Sequence, residues 1–495
     1  MSNNKKTRRD FLITLGSGAA VGLMQPTLAR AFDVPAPASA ALRIRRDVTS
    51  AAAQKDLDTL RRGVAAMKKL IASNPQDPRG WVLQAYLHGN CTQFTFCQHG
   101  NWYFPAWHRV FIYYFEQLIQ YFGNDPDFAL PYWDWSRTWS VPGSFYGSGN
   151  PLDDDISIRG SCSGAPTPGR GRSQTDTFSK ADLDTYVGPA VISRIQSNPD
   201  YASYGGANPG RGALEATPHN FVHRWVGGAK SSNMVQTFSP LDPIFWLHHC
   251  NIDRLYSDWL SRPDHKPPVD QPAWRDKSFN DFFDASGKPA GGQWTCGQTV
   301  DSGVMGYRYD RVLGLPKAML ERVTPARAPK VVQTVVSGKG TVKAGVATFA
   351  AAAVAQTESR QLLNAAAVSP RHYAVRLTLS GLQTPAQQNT GVHVFLGADI
   401  AAGTPLTAPG YVGSITYFDG QGDAKSGQHH GSQGIVILDA TEAFQTLYGD
   451  GGVPDGHTLT VSLVTRALFD GVESFASVDE VQPAKATFEI LELAD

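Results

Sequence analysis

The chain of 495 residues has no excess of charge of either sign, because 44 lysine and arginine residues balance 44 aspartate and glutamate residues. A surface without a net field does not steer a protein to nucleic acid or to an anionic membrane, so small neutral partners are the better expectation. Beyond residue 31 the sequence also lacks any apolar run that approaches the ~20 residues of a membrane-spanning helix. These absences predict a soluble globular protein with no nucleic-acid partner and no stable membrane insertion.

Cysteine is scarce as well, with five residues in the whole chain. In an exported protein an odd number means that disulfide pairing alone must leave one cysteine over. The five are Cys91, Cys97, Cys162, Cys250 and Cys296. At least one of them therefore needs an explanation other than a disulfide bond.

The first 31 residues predict a cleaved export peptide. A basic start is followed by a short apolar stretch and by an A-x-A end at Ala29 and Ala31. The RRDFL motif at residues 8–12 resembles a twin-arginine (Tat) signal, the bacterial route for proteins that are exported already folded. We therefore expect a periplasmic or extracellular protein, and a membrane anchor is the less favoured interpretation.

Two patterns divide the rest of the chain, which is long enough to bury two cores. Residues 54–72 place Leu57, Leu60, Val64 and Met67 at helical spacing, and further apolar helical segments follow. After about residue 325 apolar residues alternate with period two, as in YAVRLTL from Tyr373. The fold class expected is a mainly α domain with a four-helix-bundle-type core, followed by an all-β sandwich or barrel. The boundaries expected are a signal at 1–31, the helical domain at 32–325, a linker at 326–345 and the β domain at 346–495.

Histidine is concentrated in the helical half. Seven of the 13 histidines fall between residues 88 and 249, namely His88, His99, His108, His219, His223, His248 and His249. Burying so many half-polar rings is costly unless a metal ion or hydrogen bonds satisfy them. The local sequence favours helix starts beside them, with Pro105 in a first turn, Thr217 as N-cap before Pro218, and Asp242 as N-cap before Pro243.

His219 and His223 stand at i and i+4, which places two imidazoles on one helix face for a single metal ion. The residue after His219 is Asn220, where a zinc protease needs a glutamate, so that class is excluded. Imidazole-rich sites without carboxylate ligands suit copper or zinc.

Several long motifs then point to one family. HGNWYFPAWHR, PYWDW, ATPHNFVHRWVGG, DPIFWLHHCNIDRL and YRYD together resemble the copper-binding regions of tyrosinases, catechol oxidases and molluscan haemocyanins, over roughly residues 80 to 310. The resemblance implies a binuclear type-3 copper site with dioxygen as co-substrate. It implies His88, His99 and His108 as ligands of the first copper, and His219, His223 and His249 as ligands of the second. His248 and Asp253 then lie beside the ligands, and the resemblance implies that Asp253 anchors its helix through hydrogen bonds rather than reacting.

The resemblance also gives roles to three other residues. In fungal and molluscan members a Cys-x-His pair forms a thioether, which Cys97 and His99 match; a buried free thiol and a disulfide to Cys91 are the alternatives. In members that hydroxylate monophenols a glutamate and an asparagine are proposed to hold a basic water, which Glu215 and Asn220 match. A glutamate that only orients a ligand is the alternative for Glu215.

The function expected is therefore a tyrosinase that oxidises small monophenols and ortho-diphenols to ortho-quinones. A catechol oxidase or ortho-aminophenol oxidase is the narrower alternative, and a haemocyanin-like oxygen carrier is the less favoured one. The C-terminal segment resembles the β domain that covers the copper entrance in plant polyphenol oxidases, and a stability or oligomerisation module is the alternative. A copper-loading chaperone and an oligomeric state are left open.

Overall fold

The protein is described by a computed structural model that covers twelve stretches of the chain. These are residues 42–91, 93–158, 166–172, 177–228, 232–311, 329–351, 357–385, 387, 389–418, 434–454, 456–469 and 474–493. The predicted export peptide at residues 1–31 lies outside these stretches. Among the described residues, no helix is both long and apolar enough to cross a membrane.

Residues 42–311 form a helical region. Its helices are α1 (Gln54–Ser73), α2 (Trp81–His88), α3 (Phe104–Gly123), α4 (Lys180–Asp182), α5 (Pro189–Ser197), α6 (Tyr201–Gly205), α7 (Asn220–Gly227), α8 (Ile244–Leu260) and α9 (Pro272–Arg275). π-helical turns lie at Leu183–Val187 and Glu215–His219, and 3-10 turns at Ala51–Ala53, Gly143–Phe145, Asn233–Val235, Ser239–Leu241 and Gln298–Val300. Short strands add β1 (Arg43–Arg45), parallel to β4 (Tyr307–Tyr309), and β2 (Ile156–Ser157), antiparallel to β3 (Thr167–Pro168).

The helices form because their apolar residues recur on one face and bury there. In α1 the predicted stripe of Leu57, Leu60, Val64 and Met67 is buried and packs against α3. Pro105 lies in the first turn of α3, as predicted, where a missing N–H costs nothing. Between α3 and α8 the ring of Phe115 stacks on that of Trp246, with 3.6 Å between the centroids. The prediction of a helical core is confirmed.

A buried carboxylate ties this core together. Asp253 on α8 accepts hydrogen bonds from Arg45 of β1 and Arg109 of α3, and from the hydroxyls of Tyr307 and Tyr309 of β4. Both arginine side chains are fully buried. Asp253, the expected anchor, thus joins β1 and β4 to α3 and α8, which are two of the helices that carry histidines.

Residues 329–493 form a sheet-rich region. Its strands are β5 (Lys330–Val336), β6 (Thr341–Lys343), β7 (Val346–Ala350), β8 (Tyr373–Ser380), β9 (Thr390–Leu396), β10 (Tyr411–Ile415), β11 (Val436–Asp439), β12 (Thr460–Ala467) and β13 (Lys485–Glu492). They build two open antiparallel sheets in the orders β10-β9-β12-β7-β6 and β11-β8-β13-β5. The inward residues of both sheets share one hydrophobic cluster, which makes a sandwich.

Of the two architectures expected, a sandwich or a barrel, the region forms the sandwich, but the expectation of an all-β domain is wrong. Among the described residues the sheets do not close into a barrel, and three helices belong to the region: α10 (Thr357–Val368), α11 (Thr441–Tyr448) and α12 (Val478–Val481). Leu363 of α10 and Phe444 of α11 are buried in the shared cluster, because open sheets leave their core exposed unless another element covers it.

The expectation of a linker at 326–345 is also wrong where the structure describes it. β5 pairs with β13 from Val336 opposite Thr487 to Lys330 opposite Glu492, and β6 pairs with β7. β5 is an edge strand, so one side of it faces solvent. Its polar residues, such as Lys330 and Gln333, therefore give this segment the sequence character of an exposed linker. Among the described residues, the sheet-rich region therefore has its first strand at Lys330.

The two regions meet through backbone hydrogen bonds. Arg211 donates its N–H to the carbonyl of Ile435 at 3.0 Å and accepts the N–H of Ile437 at 2.9 Å, so it extends the β11 edge. Nearby, Thr416 donates its N–H to the carbonyl of Ala216 at 2.8 Å, and the Thr217 hydroxyl donates to the carbonyl of Ser414 at 2.7 Å. These contacts bring the chain after β10 onto the π-helical turn that precedes α7.

We expect Asp253→Ala to lower the free energy of unfolding by about 3–5 kcal/mol, because two buried arginines lose their counter-charge. Asp58→Ala is the matched control, since Asp58 pairs with Arg61 at the surface, where such pairs contribute about 0–1 kcal/mol. Denaturant unfolding of the two variants measures the difference. Equal losses would show that Asp253 is not the anchor.

Candidate metal centre

Two groups of buried side chains offer metal-ligand atoms at short range. The first contains His88, Cys97, His99 and His108, and the second contains His219, His223, His248 and His249. Within each group the candidate ligand atoms lie within 4.8 Å of one another. Tertiary structure thus brings together all seven histidines that the sequence singled out.

In the first group the backbone orients two of the rings. His88, the last residue of α2, donates Nδ1–H to the carbonyl of Thr237. His108 on α3 donates Nδ1–H to the carbonyl of Phe104 at 2.9 Å, one turn earlier in the same helix. Both bonds select the tautomer whose Nε2 carries a lone pair, as a metal ligand requires. His99 comes from the loop before α3.

The second group follows the same pattern. His219, at the end of the π-helical turn, donates Nδ1–H to Oδ1 of Asn220 at 2.8 Å. His223 on α7 donates Nδ1–H to the carbonyl of Met234 at 2.7 Å. The Nε2 atoms of His223 and His249 lie 3.4 Å apart, so their lone pairs converge.

Thr217 is not the predicted N-cap. The helix begins before it, Pro218 lies inside the π-helical turn Glu215–His219, and the Thr217 hydroxyl donates to the sheet-rich region instead. The extra residue per turn of a π-helix accommodates a proline that would break the ladder of a regular helix. Beyond this turn the rings of His219 and His223 lie side by side, with 4.6 Å between their centroids.

His248 differs from its neighbour His249. The indole N–H of Trp135 donates to Nδ1 of His248 at 3.2 Å, so the neutral ring of His248 carries its hydrogen on Nε2. A protonated Nε2 cannot donate to a metal ion. This contact supports the prediction of His249 as the ligand and of His248 as the residue beside it.

The two groups face each other and form one centre. The rings of His108 and His249 stack with centroids 4.3 Å apart, and those of His99 and His219 are 5.5 Å apart. Burial lowers the pKa of His88 and of His223 to about 3, so both rings are neutral at physiological pH. Neutral imidazoles with converging lone pairs and no carboxylate in either group suit a pair of copper ions.

Cys97 lies inside the first group as a free thiol. Its sulfur is 3.4 Å from Nδ1 and 3.8 Å from Nε2 of His99, and 3.4 Å from Nε2 of His108, so it contacts both rings. Cys91 is disulfide-bonded while Cys97 is not, so a Cys91–Cys97 disulfide is excluded. Burial raises the pKa of the Cys97 thiol, which keeps it protonated.

Glu215 and Asn220 lie at the two ends of the same turn. The Glu215 carboxylate accepts the backbone N–H of Gly100 at 2.9 and 3.0 Å and pairs with Arg211 at 3.2 Å. Asn220 accepts from His219 through Oδ1 and donates Nδ2–H to the carbonyl of Thr416 at 2.9 Å. The asparagine therefore contacts a candidate ligand and the sheet-rich region at once.

One residue over the centre has no counterpart in the sequence-based prediction. Phe418, buried in the sheet-rich region, stacks on His223 with centroids 3.9 Å apart and planes 21° apart. Its ring is also 5.8 Å from that of His99 and 5.9 Å from that of His219. Its sequence neighbourhood carries no metal ligand, so only the tertiary contact reveals it. The carbonyl groups of Thr237 and Met234 were missed for the same reason.

Comparison with known proteins relates the centre to a family. The model for the "Common central domain of tyrosinase" matches residues 78–262, which contain all seven histidines. We call residues 78–262 the tyrosinase-type domain after this match. This match and the two histidine groups support the predicted copper-dependent oxidoreductase and the predicted binuclear copper cofactor.

The curated relatives of the tyrosinase-type domain are distant. Tyrosinase HcTyr1 from Hahella sp. (strain CCB-MM4) is 29% identical over 320 residues, which cover 54% of this chain and 63% of that protein. Catechol oxidase B of Solanum tuberosum is 28% identical over 261 residues, covering 47% and 43%. The chain thus spans less than two thirds of the length of these relatives.

Solved structures match beyond the tyrosinase-type domain. A latent aurone synthase (polyphenol oxidase) gives a TM-score of 0.64 at 20% identity, covering 93% of this chain and 91% of that one. A latent apple tyrosinase gives 0.60 at 19% identity, covering 94% and 99%. A functional unit of octopus hemocyanin gives 0.53 at 18% identity, covering 91% and 99%. The shared feature is the fold, including the sheet-rich region.

We expect Gly89→Ala to weaken copper binding at the first group by about 10–100-fold. A Cβ at residue 89 would lie 2.5 Å from the carbonyl oxygen of Thr237, which must then move away from His88. Gly143→Ala is the control, since nothing lies within 4 Å of its Cβ position. Titration of the metal-free proteins with copper against a chelator measures the affinity, and wild-type affinity in the Gly89 variant would contradict the role of Thr237.

Proposed function

We propose that this chain is an exported copper phenol oxidase that uses dioxygen to oxidise monophenols and ortho-diphenols to ortho-quinones. The observation that carries the proposal is the convergence of buried, neutral imidazoles from two groups within a tyrosinase-type domain. His88, His99 and His108 would hold one copper ion, and His219, His223 and His249 the other. The bound pair would supply oxygen activation and accept the electrons of the phenol.

The roles of the surrounding residues follow from their contacts. A thioether from Cys97 to a ring carbon of His99 would hold the one ligand that comes from a loop. Its formation removes one hydrogen from the thiol and one from the ring carbon, and dioxygen accepts these two electrons and two protons. The buried aromatic rings around the centre, such as Phe104 and Phe245, exclude water from it.

Hydroxylation of a monophenol first requires a base for the phenolic proton. We assign this step to a water held between Glu215 and Asn220. The carboxylate of Glu215 is oriented by Gly100 and Arg211, which leaves further acceptor capacity on its oxygens. The Nδ2–H of Asn220 is engaged by Thr416, so this donor becomes available when the sheet-rich region moves away.

The same contacts support a covering role for the sheet-rich region. Phe418 lies flat on His223, where the ring of a phenol would otherwise stack, and Thr416 occupies Asn220. Access to the centre therefore requires that residues 414–418 leave the π-helical turn. We propose that the protein is latent until this segment is displaced.

Phe418→Ala is expected to raise the rate of oxygen uptake on an ortho-diphenol by about tenfold or more, since a loss of about 1.4 kcal/mol in the covered state shifts its population tenfold. Phe475→Ala is the matched control, because Phe475 is an exposed phenylalanine of the same region. An oxygen electrode measures both variants. Rates that stay at the wild-type level in both would contradict the covering role.

The reaction itself is tested in copper-loaded Phe418→Ala protein with a monophenol and its matching ortho-diphenol. A tyrosinase consumes one O2 per quinone from the monophenol and half an O2 per quinone from the diphenol. Uptake on the diphenol alone would make the chain a catechol oxidase. If neither substrate causes oxygen uptake, either in this variant or in protein cut between residues 312 and 328, the haemocyanin-like oxygen carrier would be favoured.

In the same background Asn220→Asp is expected to lower the monophenol rate by about 100-fold while changing the diphenol rate only a few fold. The aspartate still accepts the Nδ1–H of His219 but lacks the N–H donor for the water. Parallel loss of both rates would mean that Asn220 acts only through His219.

A further inference from the structure

A cluster of buried charges lies away from the histidines, on the far side of the 3-10 turn Asn233–Val235. Asp154, Arg172 and Asp242 are all buried there, and Arg172 pairs with Asp242 at 2.6 Å. None of these residues belongs to the tyrosinase motifs' ligand set, and the proposed reaction does not use them. A short chain of hydrogen bonds nevertheless connects the cluster to His223 in the second group.

The path begins at Asp154. Both the side-chain amide and the backbone N–H of Asn233 donate to its carboxyl group. The amide of Asn233 also donates to the carbonyl of Ile156 at 2.6 Å. Asn233 is therefore held at three points by the chain around Asp154, which leaves the turn little freedom to rotate.

The next residue carries the functional contact. The carbonyl of Met234 accepts Nδ1–H of His223 at 2.7 Å, and this bond selects the ring orientation and tautomer that present Nε2 to the second copper. A turn held at Asn233 fixes the direction of the Met234 carbonyl, because the two residues are adjacent in the chain. The hydrogen bond of His223 thus depends on Asp154.

The other members of the cluster hold Asp154 itself and the second helix of the site. Asp242 accepts the N–H of Ile244 at 3.1 Å at the start of α8, the helix that carries His249. The N-cap of α8 is Pro243, whereas the sequence predicts Asp242. Arg172 binds Asp242 and also the carbonyl of Leu152 at 2.9 Å, two residues before Asp154. One cluster thus braces both helices that supply ligands to the second copper.

We propose that Asp154 is a positioning residue of the second copper site, which acts through Asn233 and the Met234 carbonyl on His223. The inference rests on the proposed copper function, since it concerns the affinity of that site. It predicts that the affinity for the second copper ion falls when Asp154 loses its acceptor oxygen, while the affinity for the first copper ion stays unchanged.

The variant Asp154→Leu is expected to lower the affinity for the second copper by about tenfold, the lower end of the range for residues that orient a ligand. At a chelator concentration at which wild-type protein keeps two copper ions per chain, the variant keeps one. Asp154→Asn is expected to behave like wild type, because its Oδ1 still accepts from Asn233. Burial and the neighbouring Asp242 raise the pKa of Asp154 to about 8, which makes a neutral side chain suitable there.

Asp155→Ala is the matched control, since Asp155 is the next residue and pairs with Lys68 at the surface. If Asp154→Leu does not fold, Asn233→Ala tests the same path and is expected to release the same copper ion. Full retention of two copper ions by Asn233→Ala, or by folded Asp154→Leu, would overturn the inference. Wild-type protein that binds two copper ions but oxidises no phenol once uncovered would instead overturn the proposed function.

Discussion

The structure depends on keeping seven imidazoles buried, neutral and correctly oriented. A buried ring with an unpaired nitrogen costs free energy that apolar packing must offset. The chain limits this cost by giving most rings one hydrogen bond at Nδ1, from the backbone carbonyls of Phe104, Thr237 and Met234 or from Asn220. The remaining Nε2 atoms point at one another, and a pair of metal ions is the group that would satisfy them together.

This requirement explains the architecture around the centre. The acceptors for His88 and His223 come from one short stretch between α7 and α8, so that stretch must be packed tightly against α2 and α7. Glycines permit it: a Cβ at Gly89 would clash with Thr237, and one at Gly227 would clash with Val235. Buried charge pairs at Asp253 and at Asp242 then hold the helices in place from behind.

The sheet-rich region also contributes contacts to the residues of the centre. It adds an aromatic face over His223 through Phe418 and a carbonyl for Asn220 through Thr416. The region docks by extending β11 onto Arg211, so its position is set by backbone hydrogen bonds as well as by side chains. The segment that covers the centre therefore also completes its hydrogen bonds. This double role supports the proposal of a latent form that opens when this one segment moves.

The sequence by itself determined the helical half, the sheet-rich half and the seven histidines, because period, residue type and spacing are local properties. It also placed Asp253 as an anchor. Only the tertiary structure decided that Pro218 sits inside a π-helical turn, that residues 330–336 form an edge strand, and that helices α10 and α11 close the sandwich. The same holds for Phe418, Met234 and Asp154, whose roles depend on partners distant in the chain. A hydrogen bond or a stacked ring has no signature in the sequence until folding brings both members together.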